Sequence, residues 1–407
     1  MSRVDELIAE LAPAGIRFAT LGDVGTFIRG NGLQKSDLTD EGAPAIHYGQ
    51  VHTRYGAWAD TTVSFTDPAL AARLRRAKPG DLIIATTSED DAAVAKATAW
   101  LGDAEVAVSG DAYIYRHNLD PRYAALFFST EHFQRQKKRH ITGTKVRRIS
   151  GDSLAKLVIP VPPIAVQRAI ANELADFMQL EHALRDALMA EAAARGKQRT
   201  HYRDELLTKI GTYTHARLDE VAAFYNAKAH EKLVDPQGTV ALLTSRFIST
   251  DGKIARYVRT ADVLTPALKD DVALVMSDLP NGRALARTFF VEADGRYAAN
   301  QRVCLLRARD HAVVLPRFLF HVLNRNPGLL AYDNGMDQTH LKKGYIQDLR
   351  IGVPPLAEQR HLVESLDTLD ALFNELSTVT LPAELLHRRK QYEFYRDRLF
   401  SFPEVAA

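Results

Sequence analysis

The stretch "IPVPPIAVQR" at residues 159–168 returns as "IGVPPLAEQR" at residues 351–360, 192 positions further along a chain of 407. After each Pro-Pro the chain turns helical, with apolar residues on alternating steps of four and three. In the first copy these are Ile170, Leu174, Phe177, Leu184 and Leu188, with Glu181 at the one missing step; in the second they are Leu362, Leu366, Leu369, Phe373 and Leu376. A repeat of 3.5 residues is that of helices supercoiling around a partner. Pro162, Pro163, Pro354 and Pro355 suit a helix start, where a missing N–H breaks no hydrogen bond. The two segments also close alike, "KQRTHYRDELL" (197–207) answering "KQYEFYRDRLF" (390–400). One globule cannot bury so long a stripe, so the two helices are expected to pair, antiparallel, with Gly196 and Pro382 as points of breakage or kinking.

The regions before each helix echo one another more faintly. "LGDVGTF" (21–27) resembles "LDEVAAF" (218–224), and "DPRYAALFF" (120–128) resembles "LPRFLFHVL" (315–323). Strand candidates are "DLIIATT" (81–87), "DAYIYRH" (111–117), "VALLTS" (240–245), "DVALVMS" (271–277) and "QRVCLLRA" (301–308). Their spacing argues for α+β globules rather than βαβ units. The expected order is a globule over 1–158, a long-helix region over 159–212, a second globule over 213–350 and a second long-helix region over 351–407.

Composition is that of an ordinary globular chain, 46% apolar and 25% charged, and the length exceeds what one core usually serves. No apolar run approaches the ~20 residues of a membrane span, and the acidic start does not read as a signal peptide, so a cytoplasmic location is expected. The lone Cys304, in the alternating "RVCLLRA", reads as a small buried strand residue. Net charge is only +2, but "EHFQRQKKRHITGTKVRRIS" (131–150) concentrates seven basic residues against one acid. A basic run that enters a Gly/Thr loop, rather than alternating with acids, fits a polyanion contact as well as a solvated helix face.

Catalytic constellations are absent from the sequence. "GNGLQKS" (30–36) lacks the GK[ST] ending of a phosphate loop and reads as a turn. His47 and His52 in "IHYGQVHT" lie in an expected strand-turn and would point to opposite faces. "SEDD" (88–91) reads as a loop or helix cap. These features point to recognition without a reaction of the chain's own.

Two differing globules, each followed by a long helix opened by Pro-Pro-x-x-x-Gln-Arg, resemble the specificity subunit of a type I restriction-modification enzyme. The residues that carry the resemblance are Pro162, Pro163, Gln167 and Arg168, then Pro354, Pro355, Gln359 and Arg360, with "TGTKVRRIS" similar to the end of that family's target recognition domains. The resemblance implies two target recognition domains, each reading one half of a split, asymmetric site in double-stranded DNA, with the antiparallel helices as a ruler. It also implies two modification subunits that methylate adenine N6 with S-adenosylmethionine, and restriction (motor-nuclease) subunits using ATP and Mg, with no cofactor or metal on this chain. Leftover apolar residues on the helices, Met178, Leu180, Leu385 and Tyr395, would suit those partners. A scaffold that binds no DNA is one rival. A fusion carrying its own methyltransferase is another, disfavoured because no [NDS]-P-P-[YFW] motif occurs.

On this reading, phosphate contacts are expected from Lys137, Lys138, Lys145, Arg147 and Arg148 in the first globule, and from His340, Lys342 and Lys343 in the second. Base readout is expected from Arg29, Gln34, Lys35, Gln50 and Ser88, and from Arg246, Asn281, Arg283, Asn300 and Gln301, since Arg pairs with guanine and Asn or Gln with adenine. The Gln and Arg of the repeat are expected to be structural or partner-facing.

Overall fold

The computed structural model describes residues 3–278, 284–333, 335 and 338–402. The chain forms two compact units, Met1–Ala187 with Ala383–Ala407, and Leu188–Pro382. The cut falls within the long helices, so each unit holds one globule and a stretch of both helices.

In the first unit, strands Gly25–Arg29, Ala112–His117, Leu82–Ala85, Lys96–Trp100 and Trp58–Ala59 make one sheet. A second sheet runs Phe65–Thr66, Ala43–Ile46, Val106–Val108, Arg76–Ala77. Leu82 and Ile84 face one core while Ile83 and Ala85 face another. Burial on both faces is why "DLIIATT" reads as an unbroken apolar run instead of alternating.

The second unit repeats the plan. Ala222–Asn226, Val303–Ala308, Val272–Val275 and Thr288–Phe290 form one sheet, and Tyr257–Val258, Val240–Leu243, Tyr297–Ala299 and Pro266–Ala267 the other. In both sheets of the second kind the central pair is parallel. Each unit adds a two-stranded ribbon, Thr87–Ser88 with Arg147–Arg148 and Ser277–Asp278 with Thr339–His340. The α+β expectation and the strand candidates hold. Cys304 is fully buried in its strand, where burial pushes the thiol pKa up.

The repeated motif is a clamp. The Gln167 side chain is buried, its Oε1 accepting from Asp120 N at 2.8 Å and its Nε2 donating to Pro162 O at 2.8 Å. Gln359 does the same with Leu315 N (2.8 Å) and with the carbonyls of Pro354 (2.8 Å) and Val313 (2.9 Å). Each glutamine thus ties the start of its long helix to the start of a globule helix, Pro121–Phe127 or Pro316–Leu323. Both glutamines are structural, whereas Arg168 stays largely exposed, 4.0 Å from Asp120. The second proline of each pair sits just before the first helical residue, its carbonyl accepting from Gln167 N and Gln359 N.

The central helix runs unbroken over Ile164–Ile210. Gly196 does not break it. A Cβ there would meet the Phe373 ring at an ordinary 3.5 Å, so an alanine would fit and the packing does not require the glycine. The second long helix runs Leu356–Glu375, passes through a π-helical turn at Leu376–Thr380 and continues as Leu381–Leu399, with Pro382 in the next turn. The π turn accommodates the hydrogen bond that a proline cannot make.

The seam is divided. Ile170 and Leu174 pack into the first unit's core and Leu362 into the second's, so the opening positions of each stripe serve their own globule. Beyond them, helix meets helix, antiparallel. In the first unit Phe177 stacks on Tyr395 and lies 5.6 Å from Tyr392, while the Tyr395 hydroxyl donates to Glu173. In the second, Arg199 pairs with Asp370 at 3.3 Å and lies over the Phe373 ring at 4.6 Å. Met178 and Tyr395 pack against the first unit's core, which withdraws them from the set of partner-facing residues. Leu180 remains 70% exposed, as do Leu372, Leu386 and Phe394 by half or more.

Candidate nucleic-acid interface

Three segments distant in sequence meet in the first unit around a cavity of about 470 Å³. They are the loop after Gly25–Arg29, the start of the short helix Tyr48–Thr53, and the turn before Ala112–His117. Arg29 donates through Nε to Gly110 O at 3.0 Å and lies 3.8 Å from Asp111. Tyr48 N donates to the buried Ser109 hydroxyl at 2.7 Å, locking helix start to turn. Gly30 is required here, because a Cβ would lie 2.1 Å from Ser109 O.

His47 caps that helix, its Nδ1 accepting from Gly49 N at 3.2 Å. Burial lowers its pKa, with Asp111 opposing and Lys35 assisting. A neutral ring that accepts at Nδ1 carries its proton on Nε2 and can donate there. The segment 48–53 is therefore helical, which corrects the strand-turn expected around His47 and His52. His52 Nε2 lies instead 3.0 Å from Thr87 O.

The same three places in the second unit enclose a cavity of about 680 Å³. Here Thr244 caps the short helix Ser245–Ser249, the turn before Val303–Ala308 supplies Asn300, Gln301 and Arg302, and the loop after Ala222–Asn226 supplies Glu231. The Glu231 Oε1 accepts from Asn300 Nδ2 at 2.9 Å and from Gln301 Nε2 at 3.0 Å. Burial raises the Glu231 pKa, but these bonds and the nearby Arg302 outweigh it and hold the carboxyl below its ordinary value. Arg246 and Arg256 also line it, as do Ser277 and Asp278 of the ribbon.

Of the residues expected to read bases, Arg29, Gln34 and Lys35 line the first cavity and Arg246, Asn300 and Gln301 the second. Asn300 is nearly buried, its Oδ1 accepting from His230 N at 3.0 Å, so it shapes the site rather than reaching out of it. Gln50 is committed to His47 N and to Ser64, and Ser88 lies outside the first cavity with its hydroxyl accepting from Asp90 N. Asn281 and Arg283 lie outside the described residues. Sequence reasoning missed His47, Tyr48 and Asp111 on one side and Glu231, Arg256 and Arg302 on the other.

Among the phosphate candidates, Lys137 is corrected. Its side chain is buried and its ammonium donates to Ala92 O at 2.8 Å and Val94 O at 2.5 Å, so it holds a loop and reaches no phosphate. Burial draws its pKa down to about 8, with Asp90 and Asp91 opposing. Below pH 8 both folded and unfolded chains carry this proton, and the cost of burying the charge is fully present. Between pH 8 and the unfolded value of 10.5 the unfolded chain holds more of it, so stability rises with pH. Wild type should therefore gain on Lys137→Met by on the order of 2 kcal/mol over that window, read from unfolding of both proteins at each pH.

Lys138, Lys145 and Arg148 are exposed. Arg147 bonds Gly143 O at 2.6 Å and pairs with Asp91 at 2.9 Å, bracing the hairpin between Thr142 and Arg148. In the second unit His340 sits in the ribbon opposite Ser277, and Lys342 and Lys343 lie over Tyr345 and Phe224 at 5.7 and 5.5 Å. Among the described residues no group of three or more His, Cys, Asp or Glu is placed to hold a metal ion, and no helix is long and apolar enough to cross a membrane.

A family model for the type I restriction modification DNA specificity domain matches twice, over residues 13–190 and 218–387. The chain belongs to that specificity family. Within the family, it is 28% identical over 275 residues to the EcoR124I/EcoR124II specificity subunit of Escherichia coli, covering 63% of this chain and 65% of that one, so it spans just under two thirds of that relative. A putative specificity subunit of Haemophilus influenzae is 33% identical over 275 residues, covering 64% of this chain and 68% of the relative. The StySPI specificity subunit of Salmonella potsdam aligns over 399 residues at 23% identity, covering 88% and 83%. The fold matches a chain solved in work on assembly and conformational transition of the type I R-M system, at TM-score 0.71 and 16% identity over 95% of this chain and 97% of that one. It also matches the HsdS subunit from Thermoanaerobacter tengcongensis at TM-score 0.55 and 17% identity, with the same coverage.

Proposed function

We propose that this specificity subunit reads a bipartite, asymmetric site in double-stranded DNA, one half with each globule, and directs adenine-N6 methylation and restriction carried out by partner subunits. The chain itself performs no catalysis. S-adenosylmethionine belongs to two modification subunits, ATP and Mg to the restriction subunits, and the complex works in the cytoplasm. The observation that carries the reading is a scaffold built twice, with a cavity at the same place in each copy and different residues around it. Duplicated architecture with divergent lining suits two different half-sites. The target recognition domains are assigned to 1–158 and 213–350, and the long-helix regions to 159–212 and 351–407. Exposed Leu180, Leu372, Leu386 and Phe394 offer apolar anchors for modification subunits.

Exposed cations of the basic hairpin, Lys145 and Arg148, with Lys138 at the end of helix Glu131–Lys138 and His340, Lys342 and Lys343 in the other unit, are the assigned phosphate contacts. Replacing Lys145 and Arg148 with Ala should weaken binding alike on all sequences and flatten the plot of log K against log salt by about 0.9 per lost contact. Titration at four salt concentrations reads this, and an unchanged slope removes both residues from the interface. Co-purification with a modification subunit, followed by methylation mapping, tests the whole reading. A chain that assembles no methyltransferase and leaves DNA unmodified is not a specificity subunit.

A further inference from the structure

The two cavities occupy the same place on the repeated scaffold but differ in chemistry. The first offers donors on long arms, Arg29, Gln34 and Lys35, beside a neutral His47. The second sets two carboxylates among arginines, Asp278, whose Oδ2 accepts from Ala284 N, and Glu231. Glu231 is held from behind by Asn300 and Gln301, both bonding Oε1. Asn300 is itself fixed by His230 N, and the buried His230 by Leu264 N at 2.9 Å and Lys228 O at 3.0 Å. Asn300 and Gln301 thus hold the carboxylate directly and His230 braces Asn300 from behind, and among the described residues no side chain donates to Oε2. Glu231 is itself exposed, so the bracing is not needed to bury its charge; an acceptor that must meet a ligand in one orientation does need it.

We infer that the second unit's cavity reads a C·G base pair, with Glu231 Oε2 accepting from the cytosine amino group and the Arg246 guanidinium donating to guanine. The inference rests on the DNA-reading function proposed above. In the major groove cytosine presents an amino donor, which calls for an acceptor. Guanine presents two acceptors, which calls for a guanidinium. A carboxylate and an arginine facing one cavity match both edges of a C·G pair, whereas on an A·T pair the carboxylate meets a donor flanked by acceptors and the guanidinium finds no two adjacent acceptors on one base. Arg246 is exposed, and among the described residues its side chain makes no hydrogen bond or ion pair that would hold it back. Glu231 stays ionised because its hydrogen bonds outweigh burial, which keeps it an acceptor at neutral pH.

The test uses the full chain co-purified with its modification subunit, and duplexes in which each position of the wild-type motif is replaced in turn. Glu231→Gln keeps an oxygen for Asn300 and Gln301 but turns the outer acceptor into a donor. Discrimination is expected to fall between about 5- and 150-fold at one C·G pair, in the half-site that Arg29→Ala leaves untouched. Arg246→Ala, which removes no side-chain bond among the described residues, should relax the same pair. Unchanged discrimination in both variants, relaxation at an A·T pair, or an equal loss at every position overturns the inference. Wild-type complex without any sequence preference would instead overturn the DNA-reading function on which it rests.

Discussion

On the bipartite reading proposed above, inserting four residues after Ala192, matched by four after Val379, is expected to lengthen the gap between half-sites by about two base pairs and to leave both half-sites as they are. Four residues add about 6 Å of helix, and a base pair rises about 3.4 Å. Matching is needed because each helix is held on both sides of the insertion. Phe177 meets Tyr392 and Tyr395 in one unit, and Arg199 meets Asp370 and Phe373 in the other. An insertion in one helix alone would break one of these registers. Placing the second within the π-helical turn puts the extra residues where hydrogen bonding is already irregular. Methylation mapping reads the outcome: altered half-sites, or an unaltered gap, would mean that the helices set no spacing.

The second large effect concerns the end of the described chain. Phe400 is buried, its ring stacked 4.8 Å from Tyr123 and 6.0 Å from Phe127. The Tyr123 hydroxyl in turn donates to Pro160 O at 2.9 Å, in the strand that leads into the central helix. Phe400→Ala should therefore cost the first unit about 3–5 kcal/mol, through lost burial and the cavity left behind. Phe394→Ala, from a position 71% exposed on the helix that leads into Phe400, should cost next to nothing. Denaturant unfolding of the full chain separates the two, with the transition of the second unit unchanged in both variants.

The architecture was legible because helix pairing leaves a periodic trace, and because a duplicated motif marks a duplicated scaffold. What the period could not show was which partner each seam position meets. Ile170 and Leu362 carry the same period as Phe177 and Phe373 yet pack into globules. Lys137 misled for a related reason. In "EHFQRQKK" it reads as one cation of a run, but it lies four residues after Phe133, on the buried face of its helix. The cavities were partly found through residue type, as with Arg29 and Gln301. Glu231, in "AHEKL", looks like any solvated acid until His230 and Asn300 are seen behind it, and they come from segments about seventy residues apart. Sites assembled from three distant loops leave no local pattern, whereas a helix writes its partner into every turn.

The first unit gathers Val4, Leu7 and Ile8 from near the start of the chain and Leu399, Phe400 and Phe402 from near its end into one core. The second unit is continuous from Leu188 to Pro382. During synthesis, which proceeds from the N-terminus at about 5–20 residues per second, the part made first must therefore wait for the part made last. The second globule can close while its predecessor still lacks a wall. For on the order of ten seconds or more the first globule's apolar face stays open, and synthesis that halts within Leu381–Leu399 leaves the second globule finished and the first without Phe400 and Phe402.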